Sequence, residues 1–181
     1  MRRSTLPTMC IVAMLFMALL APMAMARDGT PTTATVSFGA WHTDPPLDRF
    51  PNSSPANRNE HQLIPFNVTI EAGGTVNFII SGLHQVIVYD DGTRPDDIDT
   101  TLTTTTTGAM PSPAVVLIDD PTNRIYRGLD PSLFPRDRVE VVYFPNPGVY
   151  LVICGVRGHF VNDGMFGFVK VEKEEMMKVP R

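Results

Sequence analysis

The sequence predicts an all-β domain, a sandwich of short strands. Three observations carry that expectation. Short apolar stretches rich in Val, Ile, Phe and Tyr recur between Gly, Pro and Asn turns. After residue 26 no convincing amphipathic helical pattern appears. The chain of 181 residues is long enough to bury a core without disulfide staples.

The elements follow in order. Residues 1–26 read as a secretory signal peptide: Arg2 and Arg3, an apolar middle, then Ala24-Met25-Ala26, with cleavage expected after Ala26. Residues 27–60 read as an N-terminal arm rich in Pro, Asn, Asp and Thr, with one strand in "TATVSFGAWH". From residue 61 strands are expected at "NVTI", "TVNFII" and "HQVIVY", separated by a turn at Gly73-Gly74 and a break at Ser81-Gly82. Residues 90–140 are rich in Thr, Pro and Asp and read as a long loop insertion with one short strand at "AVVLID". A loop of that length is uncommon unless it covers something or is mobile. Strands resume at "VEVVYF", turn at Pro145-Asn146-Pro147-Gly148, and continue through "VYLVIC" and "MFGFVKVEK". Residues 174–181 are left as a C-terminal tail.

The formal charge is −4 at pH 7. Losing the leader removes two arginines and no acid, so the exported chain is more acidic still. That argues against nucleic acid as a partner. Of the two cysteines, Cys10 lies in the leader, so export leaves Cys154 without a partner for an internal disulfide. A lone thiol in an oxidising compartment is either a small buried hydrophobe or a thiolate held by a metal.

The stretch "YLVICGVRGHFVNDGMFGFVKV" favours the metal. It places Cys154, His159 and Met165, the softest ligand types in the chain, in one loop between two strands. A blue-copper site needs two imidazoles and one thiolate in a trigonal set, with a weak axial thioether. The second imidazole is expected from His84, at the strand end after Ser81-Gly82. Of the four histidines, His42 and His61 read as plain surface or packing residues.

These residues resemble the cupredoxins of the plastocyanin and azurin type. The resemblance spans about residues 61–173 and rests on "TIEAGGTVNF", the strand-end histidine of "SGLHQVIVY", "PGVYLVIC" as Gly-x-Tyr-x-x-x-Cys, His159, and "GMFGFVKV" as Gly-Met-x-Gly-x-Val-x-Val. It implies a Greek-key β-sandwich or barrel. It also implies one type 1 copper ion on His84, Cys154, His159 and Met165, and a monomeric electron carrier with transient redox-protein partners. An exported carrier of this kind would work in the periplasm or outside the cell, and would not be an enzyme. Multicopper enzymes join several such domains and flank the ligand cysteine with histidine, whereas Cys154 sits between Ile153 and Gly155. The resemblance further implies an exit route through His159, with Gly155, Gly158, Phe160, Gly164 and Phe166 around its ring. A copper carrier or storage role without electron shuttling is the alternative. Two departures stand out. Gln85 occupies the position where the family often has Asn bonded to the ligand loop, and the His-x5-Met spacing is long.

Overall fold

A computed structural model describes residues 29–39, 61–107 and 114–173. The expected leader, Cys10, His42 and the C-terminal tail lie outside the described residues. Among the described residues eleven strands form. The first sheet has the order β2-β1-β4-β9, from β1 (Thr33–Phe38), β2 (Leu63–Ile64), β4 (Gly74–Ile80) and β9 (Arg138–Phe144). The second has the order β3-β11-β10-β5-β8, from β3 (Asn67–Glu71), β5 (Val86–Asp91), β8 (Arg124–Arg127), β10 (Gly148–Cys154) and β11 (Phe166–Glu172). A separate hairpin pairs β6 (Thr103–Thr106) with β7 (Val115–Ile118).

Alternation explains the main layer. On β4 Val76, Phe78 and Ile80 are buried, and on β9 Glu140, Val142 and Phe144, every second side chain pointing one way. The apolar ones meet Ile70, Val88, Val152, Val169 and Val171 of the second sheet in one continuous core. The result is a sandwich; among the described residues the sheets do not close into a barrel.

Strands β5 and β10 do not alternate. "VIVY" and "YLVIC" are buried residue after residue, so both faces of these strands are covered. Val86, Val88, Val152 and Cys154 face the main core, while Ile87, Tyr89, Leu151 and Ile153 face a second cluster completed by Ile98, Ile118 and Phe160. Ile98 and Ile118 come from the stretch read as a long loop. That stretch carries three strands, β6, β7 and β8, and it covers the outer face of the second sheet. Each large aliphatic side chain so buried contributes roughly 1.5–3 kcal/mol, enough to hold the excursion in place.

The sequence shows no amphipathic helical pattern after residue 26, yet the described residues include one α-helical turn, α1 (Arg157–Val161). Five residues are too few to display an apolar period. The strand expected over "TATVSFGAWH" stops at Phe38, because Gly39 turns to φ 89°.

Candidate metal centre

Strand register brings the site together. Strands β5 and β10 are antiparallel with Cys154 opposite Val86, so His84 emerges two residues further on at the same end of the sheet. Strand β11 runs back along β10 with Phe166 opposite Ile153, and the Cys154 N–H donates to the Met165 carbonyl at 3.0 Å. Ligand candidates 70 residues apart in sequence therefore share one rim.

The loop between Cys154 and β11 is shaped by α1. Its first turn sets His159, whose N–H donates to the Val156 carbonyl at 2.9 Å. After α1, Gly164 adopts φ 63° and the Met165 N–H returns to the His159 carbonyl at 2.9 Å. The long His-x5-Met spacing is thus absorbed by one helical turn and a left-handed glycine.

His84, Cys154 and His159 form a ligand-like cluster. Cys154 Sγ lies 3.6 Å from His84 Nδ1 and 3.7 Å from His159 Nδ1, and the two Nδ1 atoms are 3.0 Å apart. The point equidistant from the corners of that triangle is about 2 Å from each, the length of an imidazole–metal bond and slightly short for a thiolate. Two imidazole nitrogens and one sulfur around such a point fit copper by donor type and by size. Met165 is fully buried in the same core cluster as Cys154, on the interior side of the rim.

The surroundings fix these groups. Gly39 must be glycine: a Cβ there would sit 2.6 Å from the Ser81 carbonyl and 2.7 Å from His84 Nε2, and its φ is positive. His84 also has Phe38 edge-on, with centroids 6.0 Å apart. The His84 carbonyl accepts from Arg138 Nη2 at 3.0 Å, and Arg138 is itself paired with Glu140 at 2.6 Å. The insertion braces the other side. Ile118 N–H donates to the Gly155 carbonyl at 2.8 Å, Leu117 bridges Val156, and Arg157 Nε donates to the Thr100 carbonyl at 2.9 Å.

Two sequence expectations change here. The Gln85 side chain lies against Gly155, where a Cβ would run into its Oε1, but its Nε2 donates to the Gly128 carbonyl at 2.9 Å, and the loop is bonded instead by the Gln85 carbonyl, which accepts from Gly155 N–H at 2.7 Å. Gly155 and Phe160 are buried, Phe160 in the outer cluster, so neither belongs to an exposed patch around His159. His61, expected to be a surface or packing residue, packs: its ring stacks on His159 with centroids 3.7 Å apart.

Burial sets the protonation states. It pushes the Cys154 thiol up to about 12, against the smaller pull of the Gln85 and Val156 N–H groups and the charge of Arg138. Burial also pulls His159 down to about 4, helped by His61 and opposed by Asp163. At neutral pH the metal-free site therefore holds a neutral thiol and a neutral imidazole. The unfolded thiol ionises from its ordinary 9.0, so stability is full below that pH and is lost as pH rises through the folded value. For His159 the signs reverse: stability is full above 6.5 and is lost as pH falls toward the folded value. Urea midpoints of the metal-free protein should fall on both sides of that window, and Cys154→Ala should make the alkaline limb shallower, leaving the part set by the raised phenols of Tyr89, Tyr126 and Tyr150. An alkaline limb unchanged in Cys154→Ala would contradict the burial of the thiol.

No family model matches the sequence, and no curated protein matches it. Among solved structures, the chain is similar to reduced auracyanin from Roseiflexus castenholzii, at 18% identity and TM-score 0.48, over 80% of this chain and 99% of that one. It is also similar to amicyanin from Paracoccus versutus, at 16% identity and TM-score 0.40, over 80% and 86% of the two chains. A third is pseudoazurin from Hyphomicrobium denitrificans, at 17% identity and TM-score 0.38, over 78% and 76%. The two-sheet sandwich gathers two imidazoles and a thiol at the rim where β10 ends and β5 and β11 begin, the β-sandwich that the resemblance to the cupredoxins implies.

Proposed function

We propose that this protein is an exported type 1 copper protein that carries single electrons between redox partners. The observation that carries this reading is the triangle of His84 Nδ1, His159 Nδ1 and Cys154 Sγ, whose edges of 3.0, 3.6 and 3.7 Å suit one ion. Copper bound there supplies a one-electron couple. The chain's own residues do the rest. His84 and Cys154 are sealed, at 1% and 0% exposure, and hold the inner corners of the triangle. Met165, fully buried in the same core cluster as Cys154, would supply a weak thioether donor that tunes the potential. The register-locked strands keep these donors in place through both oxidation states, which keeps reorganisation small.

His159 is the half-exposed ligand, so electrons enter and leave on its side. Partners meet that side through a small, transient interface, as weak redox encounters do. The basic, apolar and small-residue leader over residues 1–26 directs the chain to the periplasm or the exterior.

The test is to load the metal-free protein with Cu(II) and mix it, in stopped flow, with reduced cytochrome c as a one-electron donor and, separately, with an apo copper acceptor. An intense visible band should appear on loading, bleach on reduction and return on oxidation, with copper retained. Met165→Ala should keep the band while shifting its colour and potential. Transfer of copper to the acceptor without electron exchange would instead make the protein a copper carrier.

A further inference from the structure

His61 lies outside the three-donor cluster, yet its ring contacts two of the cluster's imidazoles. It stacks on His159 with centroids 3.7 Å apart and planes 16° from parallel. It meets His84 edge-on at 5.5 Å and 77°. Its Nδ1–H donates to Asp163 Oδ2 at 2.5 Å. These contacts join separate parts of the fold. His61 leads into β2, whose Leu63 and Ile64 pair with β1, and the neighbouring Gln62 carbonyl accepts from Gly39 N–H at 2.9 Å. Asp163 belongs to the ligand loop, just beyond α1.

We propose that His61 is a positioning residue for His159: anchored on the first sheet and tethered to Asp163, its ring fixes the plane of the ligand imidazole. This rests on His159 being a copper ligand. The physical basis is simple. The last torsion of a histidine is broad and roughly two-fold, so a half-exposed ring can rotate and turn Nδ1 away. A second ring packed flat against it blocks that rotation. The blocking ring is carried by backbone that the first sheet already holds, and the bond to Asp163 adds to that hold. His159 Nδ1 then stays directed at Cys154 Sγ and His84 Nδ1. At 31% side-chain exposure His61 also closes one face of His159 to water.

Two readouts test this, and the first needs no metal. Nuclear magnetic resonance of the metal-free protein should show one sharp, ring-current-shifted set of His159 ring signals. In His61→Ala those signals should move and broaden. His61→Phe keeps a flat ring and lacks the tether, so it should restore most of the shift, and Asp163→Asn should fall between the two. The second readout is copper release to a chelator from the loaded protein. His61→Ala should release at least about 10-fold faster, in line with changes to groups that orient a ligand, and His61→Phe should stay within about 3-fold of wild type. Unchanged His159 signals in His61→Ala would overturn the proposal, as would His61→Phe releasing copper as fast as His61→Ala. If wild type takes up no copper, the ligand assignment fails, while the ring signals still decide whether His61 orients His159.

Discussion

Cys154→Ser should abolish the intense visible band of the Cu(II)-loaded protein and weaken copper binding by more than about 100-fold, the upper end of what altering a merely orienting group costs. The band requires a sulfur donor, and Cys154 supplies the only sulfur in the three-donor cluster. Folding should survive. Serine is slightly smaller, and its hydroxyl would lie beside His84 Nδ1 and His159 Nδ1, which now stand 3.6 and 3.7 Å from the sulfur, so it gains a partner in place of the metal. A urea midpoint close to that of the metal-free wild type separates lost ligation from lost structure. A Cys154→Ser protein that retains an intense band would exclude the thiolate from the centre.

Glu140→Gln should cost about 3–5 kcal/mol of folding stability, the penalty for leaving a buried charge without its partner. The Glu140 carboxylate accepts from Arg138 Nε at 2.6 Å, Tyr126 Oη at 2.8 Å and Leu129 N–H at 3.3 Å. Both charged side chains are nearly sealed, at 8% and 5% exposure. Tyr126 carries the mark of the same environment, its phenol pushed upward by burial and by Glu140. The effect reaches the metal centre, because Arg138 Nη2 also donates to the His84 carbonyl at 3.0 Å. Glu140→Gln should therefore lower copper affinity along with the denaturation midpoint. The double variant Arg138→Met/Glu140→Leu should recover most of the stability, since a matched apolar pair often replaces a buried ion pair without loss. It should not recover the affinity, because the donor to His84 is gone. A Glu140→Gln midpoint within about 0.5 kcal/mol of wild type, the range of an ordinary surface change, would show the pair to be unimportant.

The loop that carries Cys154, His159 and Met165 stands out in the sequence because its chemistry is local. Cys154, His159 and Met165 fall within one strand–loop–strand segment, and their residue types already name a soft-metal set. His84 was legible from its place at a strand end after Ser81-Gly82. His61 was not, because its role depends on Asp163, 102 residues away, and on a ring stack that no periodicity encodes. The covering role of residues 90–140 did leave a trace. "VYLVIC" lacks alternation, and an unbroken apolar strand needs cover on both faces. The cover itself comes from scattered residues such as Ile98 and Ile118, which an excursion rich in Thr, Pro and Asp does not advertise. The helical turn α1 escaped for a different reason: five residues show no period.

X-ray absorption at the copper edge, on wild type carrying one Cu(II) per chain, tests the ligand set most directly. The expected first shell is two nitrogens at roughly 2 Å, imidazole in origin, and one sulfur slightly further out. In Cys154→Ser that sulfur should be absent. A wild-type shell of nitrogen and oxygen alone, with no sulfur, would contradict a copper centre built on His84, Cys154 and His159.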